Sequence, residues 1–262
     1  MSVANDDLIY EVKDEIGLVT LNRPQARNAL TFEMYGKIAD ILAGAPEDGS
    51  VKAIIITGAG DKAFAAGTDI SLFRDFGSPE QGINYEAIGD ANLARMETCP
   101  IPVIAAITGA CTGGGAAIAA ICDIRITSND LKFGFPIART LGNCLSASNL
   151  GRLVHLIGEA RVLDIIFTSR LIQADEALAI GLVSEVVADN QAVRARAFEL
   201  AERIKTHAPL TMRATKTLLR RMRQASPKVE DYDIIAQIYS SSDFREGLES
   251  FLAKRKPQWT GK

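Results

Sequence analysis

The sequence predicts an α/β protein with parallel strand pairing, and three observations carry that expectation. Short β-branched or apolar runs, AIIIT at 53–57 and PVIAAIT at 102–108, each stop at a glycine. Stretches with helical apolar spacing alternate with these runs, the order that builds a parallel sheet and leaves ligand sites beyond the carboxyl ends of its strands. From about Asp189 onward strands cease, and two long helical patterns remain, roughly 190–224 and 229–254.

The elements follow in order. LIYEVKDEIGLVTLN reads as two short alternating strands around a turn at Asp14, Glu15, Ile16 and Gly17. TFEMYGKIADILAGA reads as a helix, with Thr31 as N-cap and apolar residues at helical spacing. VKAIIITGAG is a strand buried on both faces, as a continuous apolar run implies. IPVIAAITGAC has the same form, and CDIRITS repeats it more weakly after a glycine-rich stretch. The division expected is a core over 1–188 and an appended helical region over 189–262. The basic cluster Arg213, Lys216, Arg220, Arg221 and Arg223 in that region reads first as a solvated helix face, with a subunit or phosphate contact as the rival.

Composition narrows the function. A chain of 262 residues with 47% hydrophobic content can bury a sizeable core without disulfides. A net charge of -3 offers no surplus to neutralise a nucleic-acid backbone, so nucleic acid is not expected as a partner. Pro100 to Cys122 carries no charge and imitates a membrane span. Its prolines and glycines would interrupt a single helix, so strand, loop and short buried helix are expected instead. Cys99, Cys111, Cys122 and Cys144 lack metal or redox spacing and read as small buried apolar residues. The opening MSVANDDLIYEVKDE has acids where a signal peptide has basic residues, which predicts a cytoplasmic protein.

Two strand-to-glycine loops carry the chemistry. In KAFAAGTDI, small residues after the AIIIT strand leave backbone N–H groups uncovered; in TGACTGGGAAIAA, three glycines precede a helix whose dipole adds positive potential. Tight packing alone would explain either loop. Together, one N–H from each could converge on a carbonyl oxygen that gains charge as an enolate or tetrahedral centre forms. A Walker loop is excluded because GK[ST] is missing, and the dinucleotide spacing GxGxxG is absent.

With TLNRPQARNAL, AFAAGTDI, PVIAAITGACTGGGAAIAAICDIRI, FGFP, IGEARVLDIIFTSRLIQADEALAIGLVSEVV and EGLESFLAKRKPQW, the chain resembles the crotonase, or enoyl-CoA hydratase/isomerase, superfamily over nearly its whole length. The resemblance implies a crotonase-like spiral of ββα units with a C-terminal helical trimerisation region, and a homotrimer or dimer of trimers. It implies an acyl-CoA thioester as ligand, with CoA part of the substrate and no separate cofactor or metal. By motif position, the N–H groups of Thr68 and Gly114 would form the oxyanion hole beside Gly67 and Gly113. Ala65, Ala66, Asp69 and Ile70 would line the CoA path, flanked by Gln25, Arg27 and Ala29.

The chain departs from that family at two positions. Hydratases of the family carry one glutamate two residues after the glycine triplet and another after FGxP, where this sequence has Ala117 and Ile137. Each acid–base group contributes about 10²–10⁴ in rate, so thioester polarisation is expected and efficient water addition is not. The reaction class expected is therefore lyase or isomerase chemistry through an enolate. Decarboxylation, thioester hydrolysis and a non-catalytic CoA-binding role are the alternatives. Replacement groups are sought in ARTLGNCLSAS, where Arg139 is the leading candidate, as a partner for an anionic acyl tail, with Asn143, Cys144, Ser146 and Ser148 behind it. Tyr85 and Glu86 in GINYEAIGD could reach the acyl group, although Glu86 reads first as an exposed helix acid. Asp69 reads as structural, and neither His155 nor His207 lies in a site motif.

Overall fold

The computed structural model describes residues 7–74, 76–225 and 229–262. Residues 1–6 of the opening stretch read for a leader lie outside them. Strands β1 (Leu8–Lys13) and β2 (Ile16–Leu21) form the hairpin, in register from Leu8 opposite Leu21 to Lys13 opposite Ile16. Its turn is the two residues Asp14 and Glu15, both at positive φ, so Ile16 and Gly17 already belong to the second strand. Such a turn matches the strands' right-handed twist, which is why the chain tolerates the strain without glycine.

Helix α1 (Phe32–Ala43) starts as expected, with the Thr31 hydroxyl accepting from Met34 N at 3.2 Å. The chain then winds through three turns, each giving one strand to each of two sheets. These are β3 (Ala53–Gly58) and β4 (Ala63–Ala65), β5 (Val103–Ile107) and β6 (Ala110–Thr112), and β7 (Ile124–Ser128) and β8 (Lys132–Gly134). With β9 (Glu185–Val187) the large sheet runs β1-β2-β3-β5-β7-β9, parallel except for the first pair; the small parallel sheet runs β4-β6-β8. The three-residue strands were not foreseen, because so short a segment carries no readable periodicity.

Helices α2 (Pro79–Met96), α3 (Gly114–Ile121), α4 (Ile137–Thr140), α5 (Ala147–Ile157), α6 (Glu159–Phe167) and α7 (Ala174–Ala179) follow the strands. Pro100–Cys122 resolves into β5, β6 and α3, and among the described residues no helix is long and apolar enough to cross a membrane. Cys99, Cys111 and Cys122 are free and buried, and Cys144 is partly buried.

The two C-terminal patterns are four helices. The first breaks before Pro209 into α8 (Asn190–Lys205) and α9 (Pro209–Gln224), with proline at the first helical position where its missing N–H costs nothing. The second breaks at Ser240 and Ser241 into α10 (Tyr232–Tyr239) and α11 (Ser242–Leu252), the Ser241 hydroxyl capping α11. Helix α8 is no appendage: Val193, Ala197, Ala201 and Ile204 pack on Ile16, Ala53, Ile55, Ile104, Ala106 and Ile126. The opposite face of that sheet, through Val19, Ile54, Ile56, Ala105 and Ile107, joins the main core with α1. Cover on both faces explains why β5 and all of β3 but Thr57 and Gly58 are apolar at buried positions, Thr57 bonding its hydroxyl to Ala106 O. The core therefore continues past residue 189.

Candidate active site

The first loop is stapled to the NRP turn. Pro24–Ala26 forms one 3-10 turn, and Arg27 and Asn28 follow at positive φ. Asn28, fully buried, donates through Nδ2 to Ala63 O at 2.8 Å and Ala59 O at 3.0 Å. Arg23 donates to Ala29 O at 2.7 Å and to Asp69 Oδ2 at 3.0 Å. Ala66 N donates to Arg27 O, Leu30 N to Gly67 O and Asp69 N to Leu30 O. Asp69, outside the cavity lining, is held by Arg23 and Ser71; the anchoring by Arg23 and Asn28 went unread because it joins residues distant in sequence.

Between those bonds Gly67 (φ +112) bends the chain, and Gly113 (φ +53) bends the second loop against it. A Cβ on Gly113 would sit 3.4 Å from Gly67 Cα, so the two bends touch. Gly114 then opens α3, where a first-turn N–H has no partner inside the helix. Its missing Cβ leaves room for the Tyr35 hydroxyl, which a side chain there would overlap. Tyr35 and Thr68 share a hydroxyl hydrogen bond at 2.9 Å, and Thr68 shares another with Tyr85 at 3.0 Å. Burial pushes the Tyr35 hydroxyl up to about 12 and the Tyr85 hydroxyl well above its ordinary value, so both keep their protons.

These residues open onto a cavity of about 190 Å³. Ala66, Gly67, Thr68, Ile70, Gly113 and Gly114 line it, as do Ala117 and Ile137, the two positions without the expected glutamates. Ala65 is buried behind the loop, and Gln25 and Arg27 are exposed on the NRP turn with Ala29 beside them, outside the lining. Arg139 is the main correction: it is exposed, outside the lining and in no ion pair among the described residues. Helix α4 is a single turn, and residues three apart share a face. Ile137 and Thr140 therefore face the cavity, and Ala138 and Arg139 are exposed. Asn143 does line it, with a buried Oδ1 that has no protein partner. Ser146 instead caps α5 and donates to Asp90 at 2.9 Å, and Ser148 is exposed. Among the described residues the lining includes no Arg, Lys or His.

Among the described residues, the carboxyl in the cavity lining is Glu86. It is 6% exposed, not the exposed helix acid expected, and accepts from Tyr239 Oη at 2.7 Å through Oε1. Burial is the largest influence on it; the Tyr239 bond opposes, Asp90 adds to the rise, and the group stands at about 7. A readable signal existed. Gly82, Glu86, Leu93 and Met96 are the buried residues of α2 and recur at helical spacing, so Glu86 falls on the inward stripe. Gly82, one turn before it, has no side chain because the Tyr239 ring occupies that space.

Two parallel sheets that share the turns of one spiral, with a glycine-bent cavity between strand ends and helices, define a protein of the crotonase type. The family model for enoyl-CoA hydratase/isomerase matches residues 11–262, and the chain belongs to that family. It is 34% identical to the short-chain-enoyl-CoA hydratase of Clostridium acetobutylicum, covering 96% of both chains. It is 32% identical to the crotonyl-CoA hydratase of Syntrophomonas wolfei, over 99% of this chain and 100% of that one. Among solved structures, an enoyl-CoA hydratase/carnithine racemase from Magnetospirillum magneticum superposes with a TM-score of 0.78 at 36% identity, over 98% and 96% of the chains. A methylmalonyl-CoA decarboxylase complexed with 2S-carboxypropyl CoA superposes with a TM-score of 0.87 at 25% identity, over the full length of both.

Proposed function

We propose that this protein binds an acyl-CoA thioester and stabilises its enolate through the N–H groups of Thr68 and Gly114. The observation that carries this reading is the contact of the Gly67 and Gly113 bends at the mouth of an apolar cavity. Donors fixed by the surrounding backbone need no reorganisation as charge develops on the oxygen, and such donors are each worth about 10²–10³ in rate. The cavity would take the acyl group, and the exposed Ala66 with the NRP turn would flank the CoA. No cofactor beyond the substrate's own CoA is proposed.

Hydration is proposed to be slow. With Ala117 and Ile137 in the lining, neither residue can activate water or deliver a proton. A second reading, loss of carbon dioxide from a malonyl-type thioester, is favoured by the likeness to methylmalonyl-CoA decarboxylase. That reaction generates the enolate without a base. A homotrimer or dimer of trimers is proposed as the assembly, resting on the outward apolar face of α9.

The test is binding followed by turnover. Calorimetry with butyryl- and crotonyl-CoA is expected to show binding, and mass change across a panel that adds methylmalonyl-CoA identifies the reaction. Folded protein that binds no acyl-CoA refutes the reading. Crotonyl-CoA turnover near 10³ s⁻¹, on the order of an efficient enzyme, refutes slow hydration.

A further inference from the structure

We propose that Glu86 is the proton-transfer residue of a double-bond shift on neutral β,γ-unsaturated acyl-CoA thioesters, working from α2 rather than from the positions of the missing glutamates. This rests on the thioester reading above and deepens it. Geometry comes first. Glu86 lines the same cavity as Thr68, Gly114, Ala117 and Ile137, and its neighbour Tyr85 touches the Thr68 hydroxyl at 3.0 Å. The acid is therefore one residue along a helix from a group in contact with the candidate oxyanion site. The Tyr239 hydroxyl fixes its Oε1, and Gly82 lets that tyrosine approach the helix.

The inventory of the cavity selects the reaction. Adding water requires a group that deprotonates the water and one that protonates the substrate carbon; among the described residues the cavity lining holds one carboxyl. A proton shift needs only one, because the same group takes and returns the proton. Ionised Glu86 removes a proton from the carbon α to the thioester: the C–H bond breaks, its electron pair moves into the carbonyl to give a dienolate, and a carboxyl O–H bond forms. Glu86 then delivers that proton to the γ carbon, the double bond moves into conjugation and the carboxylate is restored. Water and oxidant take no part.

Substrate charge follows from the same walls. An anionic acyl tail would meet Glu86 and, in the described lining, no cation. Neutral acyl groups avoid that repulsion and match the apolar surface formed by Phe32, Phe73, Leu93 and Phe135. The groups that act on the Glu86 charge are Asp90 on its own helix and Asp231, which raise its pKa, with the hydroxyl of Tyr239 and the Ser146 backbone opposing. Tyr35, Tyr85 and Cys144 stand close enough for the Glu86 charge to raise theirs. Burial leaves the acid at about 7, which suits a group that must lose and regain a proton near neutrality.

Vinylacetyl-CoA is the probe, followed by absorbance of the conjugated product and by deuterium uptake in heavy water; butyryl-CoA binding is measured in parallel. Wild type is expected to form crotonyl-CoA with kcat/KM rising through a pH of about 7. Glu86→Gln is expected to lose about 10²–10⁴ in rate with butyryl-CoA affinity unchanged. Wild type that binds butyryl-CoA but neither isomerises the probe nor exchanges its protons overturns the proposal and leaves the thioester reading standing. Absence of all binding overturns both. Glu86→Gln with near-wild-type rate also overturns it. If that variant does not fold, Tyr239→Phe carries the test. Removing a hydrogen bond that lowers the Glu86 pKa must move the rising limb to higher pH, and a limb that stays in place overturns the assignment.

Discussion

The hydroxyl of Tyr239 reaches across 153 positions of sequence to donate to Glu86 Oε1 at 2.7 Å, joining a C-terminal helix to the wall of the cavity. The bond lies where water is excluded, so it lowers the acid without restoring it to its ordinary value of 4.5. A pH signature in stability follows. Below about 4.5 the carboxyl is protonated in both folded and unfolded chains. Between about 4.5 and about 7 the unfolded chain ionises and the folded one does not, so stability present at low pH is lost across that window and then levels off. Relative to Glu86→Gln, wild type should lose about 3 kcal/mol between about pH 4 and about pH 8. Denaturant unfolding of both proteins checks it, and a difference independent of pH would show that the carboxyl is solvated.

Gly114 and Tyr35 should behave as a coupled pair. Alanine at 114 puts a methyl group where the Tyr35 hydroxyl lies, and overpacking of this kind costs about 1–3 kcal/mol. Tyr35→Phe removes that hydroxyl but also its bond to Thr68, worth about 0.5–1.5 kcal/mol. The double variant should cost less than the two singles together, by about 0.5–3 kcal/mol. Recovery is partial, because the Tyr35 ring and the Thr68 hydroxyl still crowd the new methyl. Additive costs in a double-mutant cycle would place the clash elsewhere.

The fold was legible where a run of residues has one environment. β5 and the 53–56 run of β3 are apolar because both faces are covered, and α1 announces itself through Thr31 and its buried stripe. The glycine loops were legible because Gly67 and Gly113 occupy backbone regions that other residues avoid. What stayed hidden depends on contacts between distant segments. Glu86 lies on the inward stripe of α2, but the Tyr239 and Asp231 that surround it come from a segment far along the chain. Arg139 looked inward because it sits two residues from Ile137, yet two residues on a helix is more than half a turn. The α8 residues Val193, Ala197 and Ala201 announced a helix but not which sheet it would cover.

Arg139→Met should leave acyl selectivity alone. Its guanidinium is exposed and outside the cavity lining, so the substitution removes a solvated charge. Surface changes of this kind stay within about 0.5 kcal/mol in stability. Calorimetry with butyryl-CoA and methylmalonyl-CoA should give the same affinity ratio for variant and wild type. A selective loss of the anionic ester would return Arg139 to the acyl pocket.

The last prediction concerns α9, whose polarity is inverted. No residue of this helix is buried. Arg221 is exposed, but the other four basic side chains turn toward their own subunit: Arg213 pairs with Glu47 at 2.6 Å, Lys216 with Asp123 at 2.6 Å and Arg223 with Glu97 at 3.0 Å, while Arg220 donates to Glu97 O at 3.3 Å. They are not the solvated face that the sequence suggested. Leu210, Leu218, Leu219 and Met222 are its exposed large apolar residues, between 51% and 71% accessible. A lone surface helix shows the reverse arrangement, with apolar residues inward. Covering these four side chains with a second copy would remove apolar surface from water, at about 25 cal/mol per Å² before association costs. Light scattering at micromolar concentration should therefore report a trimer or a dimer of trimers. Leu218→Asp with Met222→Asp should shift the protein toward monomer while far-UV circular dichroism stays unchanged, because neither side chain supports the subunit's own core. A wild-type monomer, or an assembly that both aspartates leave intact, would mean that α9 is not the joining surface.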